Sequence, residues 1–441
     1  MQKNNYGLFT ATTMITGIVI GSGIFFKSDD ILAYTNGNML LGIFIFIVAA
    51  IAIIFGCLAM AQLASRTDKP GGIVAYAEEF INIRISAAYG WFYIFLYMPT
   101  LVAVIGWVSG MYVCQLFGIA GSNITYTLIG FCIIVLLFIT NMLSAKYGGA
   151  FQNAAMIIKL IPLVILGVVG VTIGKPITVL SHDMEMIRNA TIGTSFIAAF
   201  APIAFSFDGW VVATSISHEI KNSKRNLPLA LTFAPIIILL VYVLYFVGVT
   251  SLVGPEEVLI QGNDSAYTAA KMIVGPAAAK GMLVFIVISI LGTLNGLILG
   301  YIRMPYSLAL RKMIPGSNSI SKESKRFGNM PLNSAVFALL TCIVWFVIHF
   351  ITMEKGMRSD VSEISISISY LNYILLYLVV IRLKNKGEIK SFFWGYIVPV
   401  MAILGSLVIL SGSITHPLFP LYLIICYGVM GVGYYYSRHV K

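Results

Sequence analysis

Charged residues are scarce in this sequence. Asp, Glu, Lys and Arg make up 10% of its 441 residues, whereas hydrophobic types make up 59%. Soluble domains normally carry about a quarter of charged residues, so this composition excludes a soluble globule. The apolar runs are long enough to cross a membrane and predict an all-α polytopic protein. We expect twelve transmembrane helices, at approximately 8–34, 39–65, 86–114, 124–143, 150–173, 191–216, 227–253, 278–309, 333–352, 364–383, 392–414 and 417–437.

Cysteine and histidine are also few, with five of each. All five cysteines fall inside predicted spans, where we interpret them as small apolar side chains. The histidines are scattered near span ends, so neither a metal site nor a catalytic triad can be assembled from them. No span presents a nucleophile with a matched base. We therefore expect no enzyme activity, no metal and no cofactor.

The basic residues are distributed unevenly between the two sides of the membrane. If the amino terminus is cytoplasmic, 20 Lys and Arg residues face the cytoplasm and 7 face outward, while Lys159 lies within the bilayer. The positive-inside rule then places both termini in the cytoplasm of a multi-pass protein of the cell membrane. The formal net charge of +11 is therefore a topology signal, and no nucleic-acid partner is expected.

Two predicted spans are interrupted in the middle. Residues 20–25 read Ile-Gly-Ser-Gly-Ile-Phe in the first span, and residues 205–210 read Phe-Ser-Phe-Asp-Gly-Trp in the sixth. Paired interruptions in corresponding halves are typical of transporters built from inverted repeats. We expect a single transporter domain over residues 1–441, with inverted five-helix repeats at 8–173 and 191–383 and a two-helix appendix at 392–437.

The first interruption suits a zwitterionic ligand. Unwound backbone at membrane depth is tolerated only where it lines a cavity or is covered by protein. A half-helix that starts near Gly21, Ser22 and Gly23 would point free N–H groups and a positive dipole end at an anion such as an α-carboxylate. The preceding carbonyls, including those of Val19 and Ile20, would accept hydrogen bonds from an ammonium group. The alternative is close helix packing through small residues.

The second interruption places an acid near the bilayer centre. Phe205 and Phe207 offer apolar covers, and Gly209 permits the turn. Asp208 carries a carboxylate at a depth where isolated charges are costly and usually functional. It is a ligand for a substrate ammonium, an N-cap of the following half-helix or a gate partner. We favour the cap, because Asp ahead of Gly-Trp is a good N-cap residue; a proton carrier is a further alternative.

Lys159 has about ten apolar neighbours on each side. Near the middle of the fifth span it cannot easily reach the membrane surface, so we expect it to pair with backbone carbonyls or a carboxylate inside the bundle. Beside the first break its ammonium would take the position of a sodium ion and tether span five to span one. The alternative is a deprotonated or purely structural lysine. Weaker candidates for pocket contacts, which equally suit contacts between helices, are Asn295, Tyr370, Tyr373 and Tyr377.

Seven short motifs follow one another along nearly the whole chain: Gly21–Phe25, Lys69–Gly72, Lys146–Gly149, Lys159–Pro162, Phe205–Trp210, Glu219–Asn222 and Leu294–Gly296. In this order they resemble the amino acid–polyamine–organocation (APC) transporters, and within them the L-amino acid transporter branch that includes bacterial serine/threonine exchangers. The resemblance implies a LeuT-like fold of two intertwined inverted repeats with discontinuous helices 1 and 6. It also implies sodium-independent exchange by alternating access.

The resemblance further assigns roles to residues of the two breaks. The substrate carboxylate would meet the backbone at Ser22 and Gly23, and its ammonium would meet the carbonyls of Val19, Phe205 and Ser206. Phe205 would be an aromatic gate, and the lysine of span five would be the cation that replaces sodium. Animal members that pair with a glycoprotein use a cysteine in the loop after span three. Residues 117–123 contain none, so no disulfide-linked heavy subunit is expected.

We expect an exchanger of small or medium neutral L-amino acids such as serine and threonine. Apart from Asp208, we find no carboxylate at mid-membrane depth that would balance a cationic side chain. Two alternatives stay open: a proton-coupled amino acid permease, and an antiporter of cationic amino acids or polyamines. Departures from the family pattern at Phe207, Ser223 and Gln62 bear on substrate preference and on the inner gate.

Overall fold

The computed structural model describes residues 7–21, 23–67, 69, 71–143, 158–189, 194–211, 220–324, 330–357, 360–414 and 416–439. Within these ranges the chain is predominantly helical, and the one isolated β-bridge joins Ser324 to Met330. The helices are α1 Leu8–Val19, α2 Gly23–Tyr34, α3 Met39–Ala64, α4 Ile73–Phe80, α5 Ile83–Phe117, α6 Asn123–Leu143, α7 Leu160–Ile173, α8 Pro176–Arg188, α9 Phe200–Ser206, α10 Ser223–Val253, α11 Pro255–Gln261, α12 Ser265–Leu310, α13 Ser317–Ile320, α14 Leu332–Glu354, α15 Val361–Asn385, α16 Phe393–Ile414 and α17 Phe419–Tyr436.

The described residues include nine helices that are long and apolar enough to cross a membrane, or ten if α7 and α8, which meet at 81°, count as one span. This confirms an all-helical, multi-pass membrane protein. The nine correspond to the expected spans two to four and seven to twelve. The other three expected spans are present as shorter helices, so the total of twelve and the inverted repeat stay predictions.

Both predicted interruptions lie where the glycines are. The first span stops at Val19 and resumes at Gly23, with Ile20 in an extended conformation (ψ 109°). Ser22, between them, lies outside the described residues. In the sixth span α9 ends at Ser206, a turn follows, and Gly209 adopts a φ of 98°, which favours glycine. Each break follows from a local backbone preference.

One helix was not expected from the sequence. α8 occupies a stretch we predicted to be a connection, and it starts where Pro176 provides a favourable first helical residue. Its single buried residue, Asp183, accepts a hydrogen bond from the Leu40 N–H at 2.9 Å, and Asn38 Nδ2 donates to the Asp183 carbonyl at 3.0 Å. This helix therefore covers the start of α3. In addition, α12 begins at Ser265, earlier than predicted, and bends at Gly275 (φ 75°).

The long helices differ in how far the protein surrounds them. The most apolar window of α5 is 94% buried, whereas those of α6, α14 and α17 are each 22% buried. α5 is therefore central, and the other three lie at the periphery. α10 packs against α1, α3 and α7, and α9 packs against α2, α15 and α16. The two interrupted segments are thus enclosed by complete helices, as their unsatisfied backbone requires.

Candidate functional site

The two breaks lie directly against each other. A Cβ atom built on Gly23 would stand 2.7 Å from the Cα of Ser206 and 3.4 Å from Cδ1 of Phe205. Real Cβ atoms do not approach backbone so closely, so any side chain at position 23 would push the breaks apart. Gly21 is similarly close to Thr293 of α12, with 2.5 Å between its ideal Cβ and Oγ1. The sequence pairs the breaks only by analogy; the packing brings them into contact.

Tyr242 of α10 joins the ends of the two half-helices. Its hydroxyl lies 3.2 Å from the Val19 carbonyl and 2.9 Å from the Ser206 carbonyl, and the side chain is fully buried. A hydroxyl has one proton, so it donates to one carbonyl at a time and leaves the other able to accept from another donor. Sequence reasoning missed this residue. Its signal was a hydroxyl in the middle of a uniformly apolar helix.

Lys159 lies at the start of α7 and is fully buried. Its Nζ is 2.6 Å from the carbonyl of Gly17 in α1 and 3.4 Å from Thr293 Oγ1 in α12. Span five therefore contacts span one through this ammonium, three residues before Ile20. In the described part of the chain no carboxylate pairs with Lys159, so its charge is offset by oxygen dipoles alone.

Asp208 is the one residue between 200 and 211 that is not fully buried. One carboxylate oxygen accepts a hydrogen bond from the Tyr97 hydroxyl of α5 at 2.5 Å, and the Gly209 N–H also donates to the carboxylate. The helix after this turn is described only for Trp210 and Val211. A capping role for Asp208 therefore stays a prediction, and Tyr97 is a partner that the sequence did not reveal.

The other predicted pocket residues lie close to the second break or beside it. Tyr373 is buried, with its hydroxyl 3.1 Å from that of Tyr93 and its ring centroid 5.6 Å from that of Trp210. Asn295 accepts a hydrogen bond from Asn141 of α6 at 2.8 Å, which is an interhelical contact. The structure therefore brings Tyr373 to the second break, whereas the contact given for Asn295 points to α6.

Phe205 and Phe207 face opposite directions from the turn. The Phe205 ring packs edge-on against Phe26 of α2, with centroids 6.3 Å apart. The Phe207 ring packs against Tyr242 at 5.2 Å and Phe46 at 6.4 Å. Phe205 therefore contacts the second half of the broken first span, whereas Phe207 contacts the scaffold formed by α3 and α10.

A second buried lysine, Lys27 of α2, lies beyond Phe205. Its Nζ is 2.8 Å from Asp360 Oδ2, 2.5 Å from Glu363 Oε1 and 3.4 Å from Asp30 Oδ2, and it stands 5.6 Å from the Phe205 ring centroid. We name these four ionic residues the Lys27 cluster. Sequence analysis counted Lys27 as an outward-facing charge and did not anticipate buried carboxylates beside the second half of span one. Ion pairs so deeply desolvated are strongly coupled, because removal of one partner leaves the others uncompensated.

At the opposite end of the bundle, α4 carries exposed ion pairs. Lys69 Nζ lies 2.7 Å from Glu79 Oε2, and Arg311 Nε, just after α12, lies 3.1 Å from Glu78 Oε2. The hydrogen bond to Glu79 raises the pKa of the Lys69 ammonium, with a further contribution from the charge of Glu78. α4 was anticipated as a short helix at the membrane surface. It joins the connection after α3 to the end of α12.

A cavity of about 560 Å³ runs along α1 and reaches the first break. Most of its lining is apolar, and Lys159 is the charged residue on its wall. The residues that line its deeper part are Thr12, Thr16, Gly17, Ile20 and Lys159. A solute in this cavity would therefore reach both the broken helix end and the buried ammonium.

An all-helical membrane protein with two opposed helix breaks, and with a buried cation at one of them, has the architecture of a solute transporter and not of an enzyme. The model for the amino acid permease family matches residues 6–428. The chain belongs to this family, in the APC superfamily.

Three relatives illustrate the range of this family. The serine/threonine exchanger SteT of Bacillus subtilis (strain 168) is 28% identical over 439 residues, which cover 99% of this chain and 97% of that protein. The b(0,+)-type amino acid transporter 1 of Mus musculus is 26% identical, covering 99% and 88% of the two chains. The cystine/glutamate transporter of Homo sapiens is 23% identical, covering 86% and 73%.

Proposed function

We propose that the protein exchanges small or medium neutral L-amino acids, such as serine and threonine, across the cell membrane without sodium. Both termini lie in the cytoplasm, and twelve helices form two inverted repeats plus two further helices. The likeness to a serine/threonine exchanger over nearly the full length of both chains supports the substrate class. The fold supports alternating access, since interrupted helices at the repeat interface are where substrates of such transporters bind.

The contact of Lys159 with Gly17 carries the proposal of sodium independence. An ammonium 2.6 Å from a carbonyl next to the broken helix end supplies a permanent positive charge there. A bound sodium ion would need carbonyl and hydroxyl oxygens in the same place, and both available oxygens, from Gly17 and Thr293, already face the lysine. The protein therefore carries its own cation, and no ion gradient enters the exchange.

The substrate's two charges fit the loose ends of the half-helices. Its carboxylate accepts from the free N–H groups at Gly21, Ser22 and Gly23, where α2 begins with a positive dipole end. Its ammonium donates to the carbonyls of Val19 and Ser206, the same two acceptors that share the Tyr242 hydroxyl. Substrate and Tyr242 thus satisfy these carbonyls together. Empty protein leaves one of them without a donor.

Counterflow in proteoliposomes tests the proposal. Vesicles loaded with unlabelled serine should take up labelled serine at the same initial rate in sodium and in choline buffer. Vesicles without internal amino acid should take up little. A rate that rises several-fold with sodium would refute the role of Lys159, and strong uptake into empty vesicles would refute obligatory exchange.

A proton-coupled permease is the second candidate. Asp208, the one incompletely buried residue of the second break, supports it, because a carboxylate with access to an internal space can take up and release a proton. The same vesicles separate the two mechanisms. An inwardly directed pH gradient, applied without internal amino acid, drives net uptake by a permease and leaves an exchanger inactive.

A further inference from the structure

Asp208 is placed where it would be expected to attract cations. Its neighbours from 200 to 211 are buried, whereas Asp208 itself is partly exposed to the space beside the second break. In the described part of the chain, no lysine or arginine forms an ion pair with it. A carboxylate at this depth and in this position would favour a substrate with a positively charged side chain.

The Tyr97 hydroxyl occupies this carboxylate. The oxygen–oxygen distance of 2.5 Å is in the range of hydrogen bonds to ionised acceptors, which are about twice as strong as neutral ones. Tyr97 is 2% exposed, so the bond is shielded from water on the tyrosine side. The Gly209 N–H is the second donor to the carboxylate. Together the two donors satisfy much of the acceptor capacity that a cation would otherwise use.

The backbone of α5 is adapted to hold this tyrosine. Residues Tyr93–Tyr97 form a π-turn inside an otherwise α-helical segment, a feature that is frequent at functional sites. The rings of Tyr93 and Tyr97 lie 4.8 Å apart, but their hydroxyls have different partners: Tyr93 meets Tyr373, and Tyr97 meets Asp208. Two phenols on one turn are therefore available, and only one of them reaches the acid.

We propose that Tyr97 determines specificity: its hydroxyl masks the Asp208 carboxylate and so disfavours amino acids with a cationic side chain. The inference rests on the proposed function, because it concerns which amino acids the same site accepts. A lysine side chain must displace the Tyr97 hydroxyl before it can pair with Asp208, whereas serine leaves that bond intact. Without the hydroxyl, the carboxylate lacks one donor, and a substrate ammonium replaces it.

The experiment compares serine exchange and its inhibition by L-lysine in proteoliposomes. Tyr97→Phe should lower the half-inhibitory concentration of lysine by about tenfold, as expected for a charge-assisted hydrogen bond exchanged between partners. The double variant Tyr97→Phe with Asp208→Asn should return lysine inhibition to the wild-type level. Tyr93→Phe, the matched control on the same turn, should leave the ratio of lysine to serine affinity unchanged.

An unchanged lysine-to-serine ratio in Tyr97→Phe overturns the inference, as does an equal gain in Tyr93→Phe or a gain that survives Asp208→Asn. Thermal-shift titration of the purified variants with lysine and serine gives the same ratio without turnover, so a slow variant still decides the matter. Wild-type protein that exchanges serine while these ratios stay flat refutes only the role of Tyr97. Wild-type protein that neither exchanges nor binds any amino acid refutes the proposed function and the inference with it.

Discussion

Lys159 and Lys27 are both fully buried lysines, yet their surroundings are opposite in charge. Among the described residues Lys159 meets one carbonyl and one hydroxyl, whereas Lys27 meets three carboxylates. The first site has a surplus of positive charge and the second a surplus of acid. A buried ion costs several kcal/mol unless it is well compensated, so a lysine with dipoles alone is the one that calls for a functional reason.

The two lysines also hold different halves of the same interrupted span. Lys159 binds α1 through Gly17 and connects it to α7 and α12, whereas Lys27 lies in α2 and connects it to the start of α15. Each half-helix therefore has its own ionic anchor on either side of Gly21. This arrangement permits one half to tilt while the other stays in place, which is the motion that alternating access requires.

The largest effect is expected from Lys159→Ala. Its loss removes the only cation near the Gly17 carbonyl in the described structure, and breaking a buried interaction of this kind costs about 3–5 kcal/mol. Serine counterflow should fall by about a hundredfold or more. Protein yield and thermal unfolding serve as controls for folding. Activity within twofold of wild type would show that the positive surplus has no role in transport.

Lys27→Met should act mainly on stability. It leaves Asp30, Asp360 and Glu363 facing one another without a counter-charge, at a cost of several kcal/mol. Protonation of the remaining carboxylates relieves this repulsion, so the melting temperature of the variant should rise toward the wild-type value as the pH falls from 8 to 5. Lys159→Ala has no such acids and should show no rescue. Equal pH dependence of the two variants would remove the distinction between the two sites.

A smaller effect is expected from Tyr242→Phe, which tests whether the half-helices are also coupled without ions. The change removes one hydrogen bond shared between Val19 and Ser206, worth about 1 kcal/mol, so exchange should slow by about fivefold. Tyr245→Phe, one turn away on the same helix, is the matched control. If both variants behave alike in counterflow, the bridge between the breaks is not specific.

The smallest effect is expected from Lys69→Gln, an exposed lysine that sets the scale for the buried ones. Exposed pairs such as Lys69–Glu79 contribute at most about 1 kcal/mol. Because the pKa of Lys69 is raised in the folded protein, this contribution is fully present at neutral pH and is lost only as the pH rises through the raised value. Unfolding temperatures of wild type and variant should differ by a small, constant amount between pH 6 and 9. A loss of serine exchange greater than twofold would contradict a purely surface role.

The positions of the breaks could be predicted because their causes are local. Gly21, Gly23 and Gly209 permit conformations that a regular apolar helix does not need, and Asp208 is out of place at that depth. The polytopic architecture followed from composition for the same reason. The extra helix α8 was missed, since few of its side chains are buried and its hydrophobic pattern was weak.

The partners of these residues could not be predicted in the same way. Tyr97 and Tyr242 are ordinary tyrosines in apolar helices, and only packing shows that one meets Asp208 and the other joins Val19 to Ser206. Asn295 illustrates the reverse case, because a polar residue in a promising motif turned out to contact α6.

The sequence by itself determined the membrane environment, the two interruptions and the presence of a lysine too deep to reach water. Tertiary structure decided which oxygen each buried charge meets. Lys27 and Glu363 are 336 positions apart, and Lys159 and Gly17 are 142 apart. Backbone preferences act between neighbours in the chain, whereas electrostatic compensation acts between neighbours in space, and only the packing of the helices specifies the latter.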